Sequence, residues 1–502
     1  MKGRQRAFLA FSFALSLSSA ASAEPVSLFS RIVWNAAPFS PPLPDAIDTF
    51  WSTLDIQGLA TMPEQIAVGI PRVRGEPVNV VVTLESMDRR SGFVQRDGWA
   101  CDHGDPTGCE IIPAPNLPDD QFSYTWVGQG QGYDLRLTVH AGHAVGILVG
   151  AAGRFSISRG MVKELNRDFF RLDDVPVVPN DAGRLGRPLP QQASSRAMSA
   201  AEAESLTVQR IEPKQPDISE RLSSAASAAH VDMLVLFTEE ARRQAGGNPA
   251  ICSDTAGVIA YIQQGINDVN TAFRRSEIDA QLGVVAIAKL SGYTLIPDDG
   301  TFMPSLDNRN VLNANANIKA FRNAVGADVV QVLFDTSTNL GPCGVTYVQR
   351  TDCTGQGDTT LPSPCIGAAL AQHSTYLNTV QCSSSADVFT HELGHLLGAE
   401  HDPAWGAPPS YASFPYAYGY YRSGVFQTVM SQQFGASAPK RILQFSNPSV
   451  NYAGWPTGNA ITANNALAIG NLVTGVSTFR TRPQIVFANG FEAAAACPSL
   501  SF

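Results

Sequence analysis

The spacing of apolar and polar positions changes along the chain, and the change separates two kinds of structure. From Val78 to Ile157 the period is two. Val78 to Leu84 is a dense apolar run, and Tyr133, Leu135, Leu137 and Val139 alternate with Asp134, Arg136, Thr138 and His140. Successive side chains of a strand point to opposite faces, so this alternation predicts strands with one apolar and one polar face. Ala144 to Val149 and Phe155 to Ile157 continue the same β-rich unit. Beyond it, short apolar runs take turns with helical spacing. Val231 to Thr238 reads as a buried strand, and from Asp254 onward Ile262, Ile266, Val269 and Phe273 recur as on one side of an amphipathic helix. Gln281 to Leu290 is a second strand, Ile318 to Val325 a helix, and Asp328 to Phe334 a third strand. Ile469, Leu472, Val476 and Phe479 mark a final helix. Strands alternating with helices predict an α/β domain with a mixed, largely parallel sheet.

The ends and the middle supply the domain layout. Lys2, Arg4 and Arg6 precede an apolar run from Ala7 to Leu17, and Ala21-Ser22-Ala23 offers a small-residue cleavage site. Residues 1–23 therefore read as a secretory signal peptide, too short for a membrane span, which predicts an exported, soluble mature protein, extracellular or periplasmic. Residues 24–186 form the β-rich unit. Residues 187–229 are poor in aromatics and rich in Ala, Ser, Pro and Gln, as an exposed linker is, and Arg196, Arg210, Lys214 and Arg221 are processing positions that nothing ranks. The α/β domain spans 230–482, and 483–502 is a tail beyond its last element.

Composition narrows the partners. A content of 44% hydrophobic residues suffices for real cores, and a formal net charge of −9 argues against nucleic acid or an anionic membrane. Eight cysteines in an exported chain predict disulfides. Cys101 and Cys109 suggest a local bridge. Cys252, Cys343, Cys353, Cys365, Cys382 and Cys497 leave the connectivity open, with Cys353–Cys365 and Cys343–Cys382 the pairs nearest in sequence.

The chemistry is concentrated in the run His391 to His401, H-E-L-G-H-L-L-G-A-E-H. His391 and His395 lie one turn apart on the same helix face, where two imidazoles bind one metal, and Glu392 follows the first without needing to be a ligand. On a continued helix His401 would be rotated roughly 120° from His395 and lie about 9 Å further along the axis. Gly398 supplies the remedy, since glycine adopts the left-handed conformation that ends a helix and turns the chain. Ser384 and Asp387 have the spacing of a capping box that would start the helix. Three neutral imidazoles leave a zinc ion one open position for water, with Glu392 as general base. The other histidines, His103, His140, His143, His230 and His373, lack partners at ligand spacing and read as surface or satisfied polar residues.

His391-Glu392-x-x-His395-x-x-Gly398-x-x-His401 resembles the signature of the metzincin zinc peptidases. Asp402 directly after the last histidine makes the bacterial reprolysin-like (adamalysin) branch the most similar. The likeness runs from about Val231 to Phe479. It implies a metzincin catalytic domain with a zinc-binding active-site helix, preceded by the β-rich unit as a prodomain. It also implies a tight methionine turn beneath the zinc, for which Met430 in Thr428-Val429-Met430-Ser431 is the candidate. Some metzincins place a further tyrosine ligand two residues after that methionine; Gln432 stands there, so no such ligand is expected. Cys343 to Val348, with Gly344, Val345 and Thr346, falls where metzincins have an antiparallel edge strand that pairs with an extended substrate. The resemblance thus implies a monomeric zinc endopeptidase acting on proteins or peptides, made as a zymogen, with one zinc ion and with calcium sites left open. The alternatives are a binding or adhesion protein with a weakly active metzincin fold, and zinc hydrolysis of a non-peptide amide.

Overall fold

The computed structural model describes residues 25–33, 48–70, 77–88, 98–101, 109–112, 124–175, 228–246, 255–293, 311–334, 344–348, 375–379, 387–404, 412–433, 439–480 and 499–501, with a few breaks inside these stretches. The expected signal segment and nearly all of the expected linker lie outside them, as do the side chains of all eight cysteines; the backbones of Cys101 and Cys109 stand opposite each other in an antiparallel pair.

The period-two stretches build one ten-stranded sheet. Its strands, in spatial order, are Val26–Ser27, Gln65–Ile70, Val78–Asp88, Tyr124–Gly130, Tyr133–His140, His143–Gly150, Gly153–Val162, Arg167–Val175, Asp48–Leu54 and Phe29–Val33. All neighbours are antiparallel except the first two. Leu135, Leu137 and Val139 point into a core of their own with Val68, Val82, Trp126, Leu148 and Phe155. Trp126 is fully buried, and its indole N–H donates to the Pro63 carbonyl at 3.1 Å, which satisfies its one polar atom.

A second sheet carries the α/β half. Its order is Gly344–Val345, Thr375–Thr379, Val329–Phe334, Ala229–Phe237, Ala280–Ser291, Ser499–Ser501. Every pair is parallel except Gly344–Val345 with Thr375–Thr379. Alternation along Ala229–Phe237 divides its side chains between two layers. Val231, Met233, Val235 and Phe237 join the long helix Ala256–Arg275, the histidine-bearing helix Val388–Leu396 and the helix Asn465–Val476. Leu234 and Leu236 face the other way, onto Ile318 and Phe321 of the helix Ala316–Ala324. A central strand covered on both faces reads as a continuous apolar run, which is why Val231 to Phe237 shows little alternation in type. The C-terminal tail differs from expectation: Ser499–Ser501 pairs with the end of Ala280–Ser291 and closes that edge of the sheet. No helix among the described residues is long and apolar enough to cross a membrane.

The two halves meet through faces that the sequence marks only as polar. Asp134, Arg136, Thr138 and His140, the polar side of their strand, are all buried. So are Gln264, Asn267, Asp268 and Thr271, the polar side of the long helix. The two polar faces cover one another, with Thr138 Oγ1 donating to Gln264 Oε1 at 2.9 Å. His140 and His143 are buried here as well, and burial pushes the His140 imidazole down to about 4, so it is neutral at physiological pH.

Candidate metal centre

The helix Val388–Leu396 is buried along its whole length because it lies within the apolar layer. Phe389, Leu393 and Leu396 anchor it there. The long helix approaches so closely that a Cβ on Gly265 would lie 2.2 Å from the Phe389 ring, so that position admits only glycine without a shift of one helix. The helix ends in a Schellman motif. The Gly398 N–H donates to the His395 carbonyl and the Ala399 N–H to the Gly394 carbonyl, both at 2.8 Å, with Gly398 at φ +89°. A Cβ on Gly398 would also meet Leu472 at 2.3 Å, so the turn excludes a side chain on two grounds. The chain then reverses and is held by segment 417–419: Glu400 N–H bonds the Ala417 carbonyl and Gly419 N–H bonds the His401 carbonyl.

This turn brings His401 to the other two histidines. Its Nε2 lies 3.1 Å from that of His391 and 3.0 Å from that of His395. Nδ1 of His391 faces the Val429 carbonyl at 2.9 Å, and Nδ1 of His395 faces the Ala399 carbonyl at 2.7 Å. A carbonyl can only accept, so both rings carry their proton on Nδ1 and turn an Nε2 lone pair toward the common point. Three converging nitrogen lone pairs repel one another unless a cation sits among them. All three imidazoles are buried nitrogen donors, a set that suits zinc with a position left open.

Met430 lies directly under the helix: a Cβ on Gly394, between the two helical histidines, would come within 2.7 Å of its sulfur. The Ser431 N–H closes the turn onto the Thr428 carbonyl at 3.0 Å, and Val429 supplies the carbonyl that orients His391. Asp402 is fully buried and belongs to the same unit. Its carboxylate accepts from Ser431 Oγ at 3.0 Å and from the Gln432 N–H at 2.8 Å, which ties the chain after the third histidine to the methionine turn. That tie aims the next side chain at the centre. The Gln432 carboxamide lies 2.7 Å from His401 Nε2, a proximity that the type of residue alone did not suggest.

Glu392 is fully buried beside the short strand Gly344–Val345 at the end of the second sheet. A Cβ on Gly344 would lie 2.6 Å from Glu392 Oε1 and 2.7 Å from Val388 Cγ1. Glycine at 344 is therefore what lets the carboxylate reach its position. Val345 is buried and Thr346 half-buried; Cys343 and Tyr347 lie outside the described residues, and of the four described positions among the six expected, two, Gly344 and Val345, are in the strand.

The start of the helix departs from a capping box. Asp387 is the N-cap, but it sits in the left-handed region at φ 56° and makes no side-chain bond to the helix; Ser384 lies outside the described residues. Its carboxylate instead meets Arg136 at 2.8 Å and Arg154 at 3.0 Å, both from the ten-stranded sheet. Burial opposes the charge on Asp387, yet Arg154, Arg136 and Arg441 together hold its carboxyl well below the usual carboxylate range. Nothing local in the sequence points from Asp387 to arginines more than 200 positions upstream.

Residues 227–446 match the family model described as Metallo-peptidase family M12 (Reprolysin_5). The chain is 28% identical over 272 residues to a peptidyl-Asp metalloendopeptidase of Xanthomonas campestris pv. campestris, covering 53% of this chain and 56% of that one. It is 29% identical over 268 residues to a protein of the same name from Stenotrophomonas maltophilia strain K279a, covering 51% and 54%. The chain thus aligns with about half the length of these relatives. A crystal structure of metalloproteinase-II from Bacteroides fragilis superposes over 79% of this chain and 92% of its own at a TM-score of 0.36 and 10% identity, a likeness too slight to carry an argument.

Proposed function

We propose that the protein is an exported zinc endopeptidase, made as a zymogen, with Glu392 as its general base, a reading supported by the match of residues 227–446 to the model of metallo-peptidase family M12. The observation that carries this reading is the convergence of three imidazole Nε2 atoms beside a buried carboxylate at the end of a sheet. Zinc held there supplies a Lewis acid for the scissile carbonyl and lowers the pKa of its water toward about 7. His391, His395 and His401 would hold the ion, and the carbonyls of Val429 and Ala399 keep two of the rings in the ligating tautomer. Glu392 accepts the proton of the attacking water and returns it to the departing amine, a shuttle that its buried position shields from bulk solvent.

Gly344–Val345 ends the order of the second sheet, with Thr375–Thr379 on its paired side. An extended substrate adding along its other side would gain main-chain hydrogen bonds and lie across Glu392. Such pairing favours a peptide over a small amide. Gly344→Val is accordingly expected to lower kcat/KM by about a hundredfold, the scale of an ångström-sized displacement of a reacting group, with zinc content unchanged. A variant with wild-type kcat/KM would remove this strand from the site.

The relatives are named peptidyl-Asp metalloendopeptidases, and that name supports cleavage at aspartyl residues in proteins as this chain's substrate class. Export rests on the basic and then apolar start of the chain, and latency on the β-rich unit placed before the peptidase domain. Digestion of an unstructured protein by the purified chain, with every cleavage site mapped, tests the reading. Internal cuts clustered at aspartate are expected. An absence of internal cuts under any metal condition would contradict it.

A further inference from the structure

Two bodies with separate apolar cores touch through their polar faces, and that arrangement is typical of partners rather than of one shared core. The ten-stranded sheet keeps Leu135, Leu137 and Val139 for its own interior, and the long helix keeps Ile262, Ile266 and Val269 for the peptidase interior. Among the described residues of the sheet's strands, only Val145 contributes a side chain to the buried peptidase cluster. What crosses between them is polar and specific. Arg136 Nη1 pairs with Asp268 at 2.8 Å and Nη2 with Asp387 at 2.8 Å, and Arg154 pairs with Asp387 at 3.0 Å, all four side chains at most 3% exposed. Thr138 and Thr125 bond Gln264 and Asn267. At the margin Arg275 reaches Asp134 at 2.8 Å, and Lys440 Nζ donates to the Gly132 carbonyl at 2.8 Å.

Contacts of this kind follow the rules of recognition. Interfaces between domains of one chain resemble those between separate proteins and are more polar than a core. A buried charge left unpaired is costly, so each guanidinium here demands its aspartates and accepts few substitutes. Asp387 is the pivotal position, since it begins the helix that carries His391, Glu392 and His395.

We propose that residues 26–175 are a binding module for the peptidase domain, held by Arg136 and Arg154 on Asp268 and Asp387, and that the two stay together after the chain between them is cut. It follows, resting on the zymogen reading, that cleavage within 187–228 does not by itself free the peptidase: a second event must separate the module from Asp387. The docking itself holds whether or not the protein is a peptidase.

The test uses the full-length chain with a recognition site for a sequence-specific protease placed between 187 and 228, and with Glu392→Ala to prevent self-digestion. After complete cleavage at neutral pH, both fragments should elute together from a sizing column at the mass of the uncut chain. Separation of the wild-type fragments at micromolar concentration would overturn the proposal. Arg136→Ala with Arg154→Ala should weaken the association at least about a hundredfold, whereas Arg243→Ala, an exposed residue paired with Glu239 of its own helix, should leave it unchanged. If the double variant fails to fold, Thr138→Val and Asn267→Ala each remove one crossing hydrogen bond and should weaken it by about tenfold. Undiminished association in every folded variant would equally overturn the assignment. Peptidase activity is not read in this experiment, so its failure and that of the functional reading are distinguishable.

Discussion

Glu392→Ala should retain its zinc and lose about three orders of magnitude in kcat, the scale of removing a general base. The carboxylate lies beside Gly344 rather than among the three imidazoles, which meet one another through Nε2. Its removal leaves the carbonyls of Val429 and Ala399 in place behind two of the rings, and on the proposed mechanism what is lost is the group that carries a proton from water to the leaving amine. Steady-state kinetics on a peptide together with metal analysis checks both halves of the statement. Loss of zinc in the variant would make Glu392 a ligand, and near-full activity would remove it from the mechanism.

His401→Ala should have the converse signature. On the proposed site it is the one ligand that the helix does not position, and it depends on the Schellman turn at Gly398 and on the pairing of 400–401 with 417–419. Without it the site keeps two imidazoles, which do not define a tetrahedral centre. Zinc affinity should fall by more than about 100-fold, beyond the loss common for a residue that only supports a ligand, and activity at limiting zinc should vanish. Competition with a chromophoric chelator measures the affinity directly. An unchanged affinity would place the third ligand elsewhere. Asp402→Asn offers a graded comparison. Asp402 grips Ser431 and Gln432 rather than the metal, so this variant should weaken zinc by about 10- to 100-fold.

The sequence discloses those parts of the molecule whose cause is local. The spacing of Ile262, Ile266, Val269 and Phe273 identifies the long helix, and the compact set from His391 to His401 identifies the centre because helix geometry and one glycine suffice to assemble it. Met430 is within reach of the same reasoning through the family resemblance. The interface between the two halves is not. Alternation of Asp134, Arg136, Thr138 and His140 with apolar neighbours tells which side chains share a face, but water and a polar protein surface satisfy such a face equally well. The partners of that stripe lie on the polar side of a helix more than a hundred residues away, which also reads as solvated. The same limit hides the place of Ser499–Ser501, whose sheet position rests on main-chain pairing with a distant strand. The aim of Gln432 likewise depends on the grip of Asp402 on its backbone.

The most direct test of the account is metal dependence in the purified full-length protein. The chain should contain about one equivalent of zinc, the content of a single three-histidine site, and cleave an unstructured protein. A strong chelator should abolish the cleavage in step with the loss of zinc, and added zinc should restore it. Cleavage that persists after zinc has been fully removed would contradict the central claim that His391, His395 and His401 hold the catalytic ion.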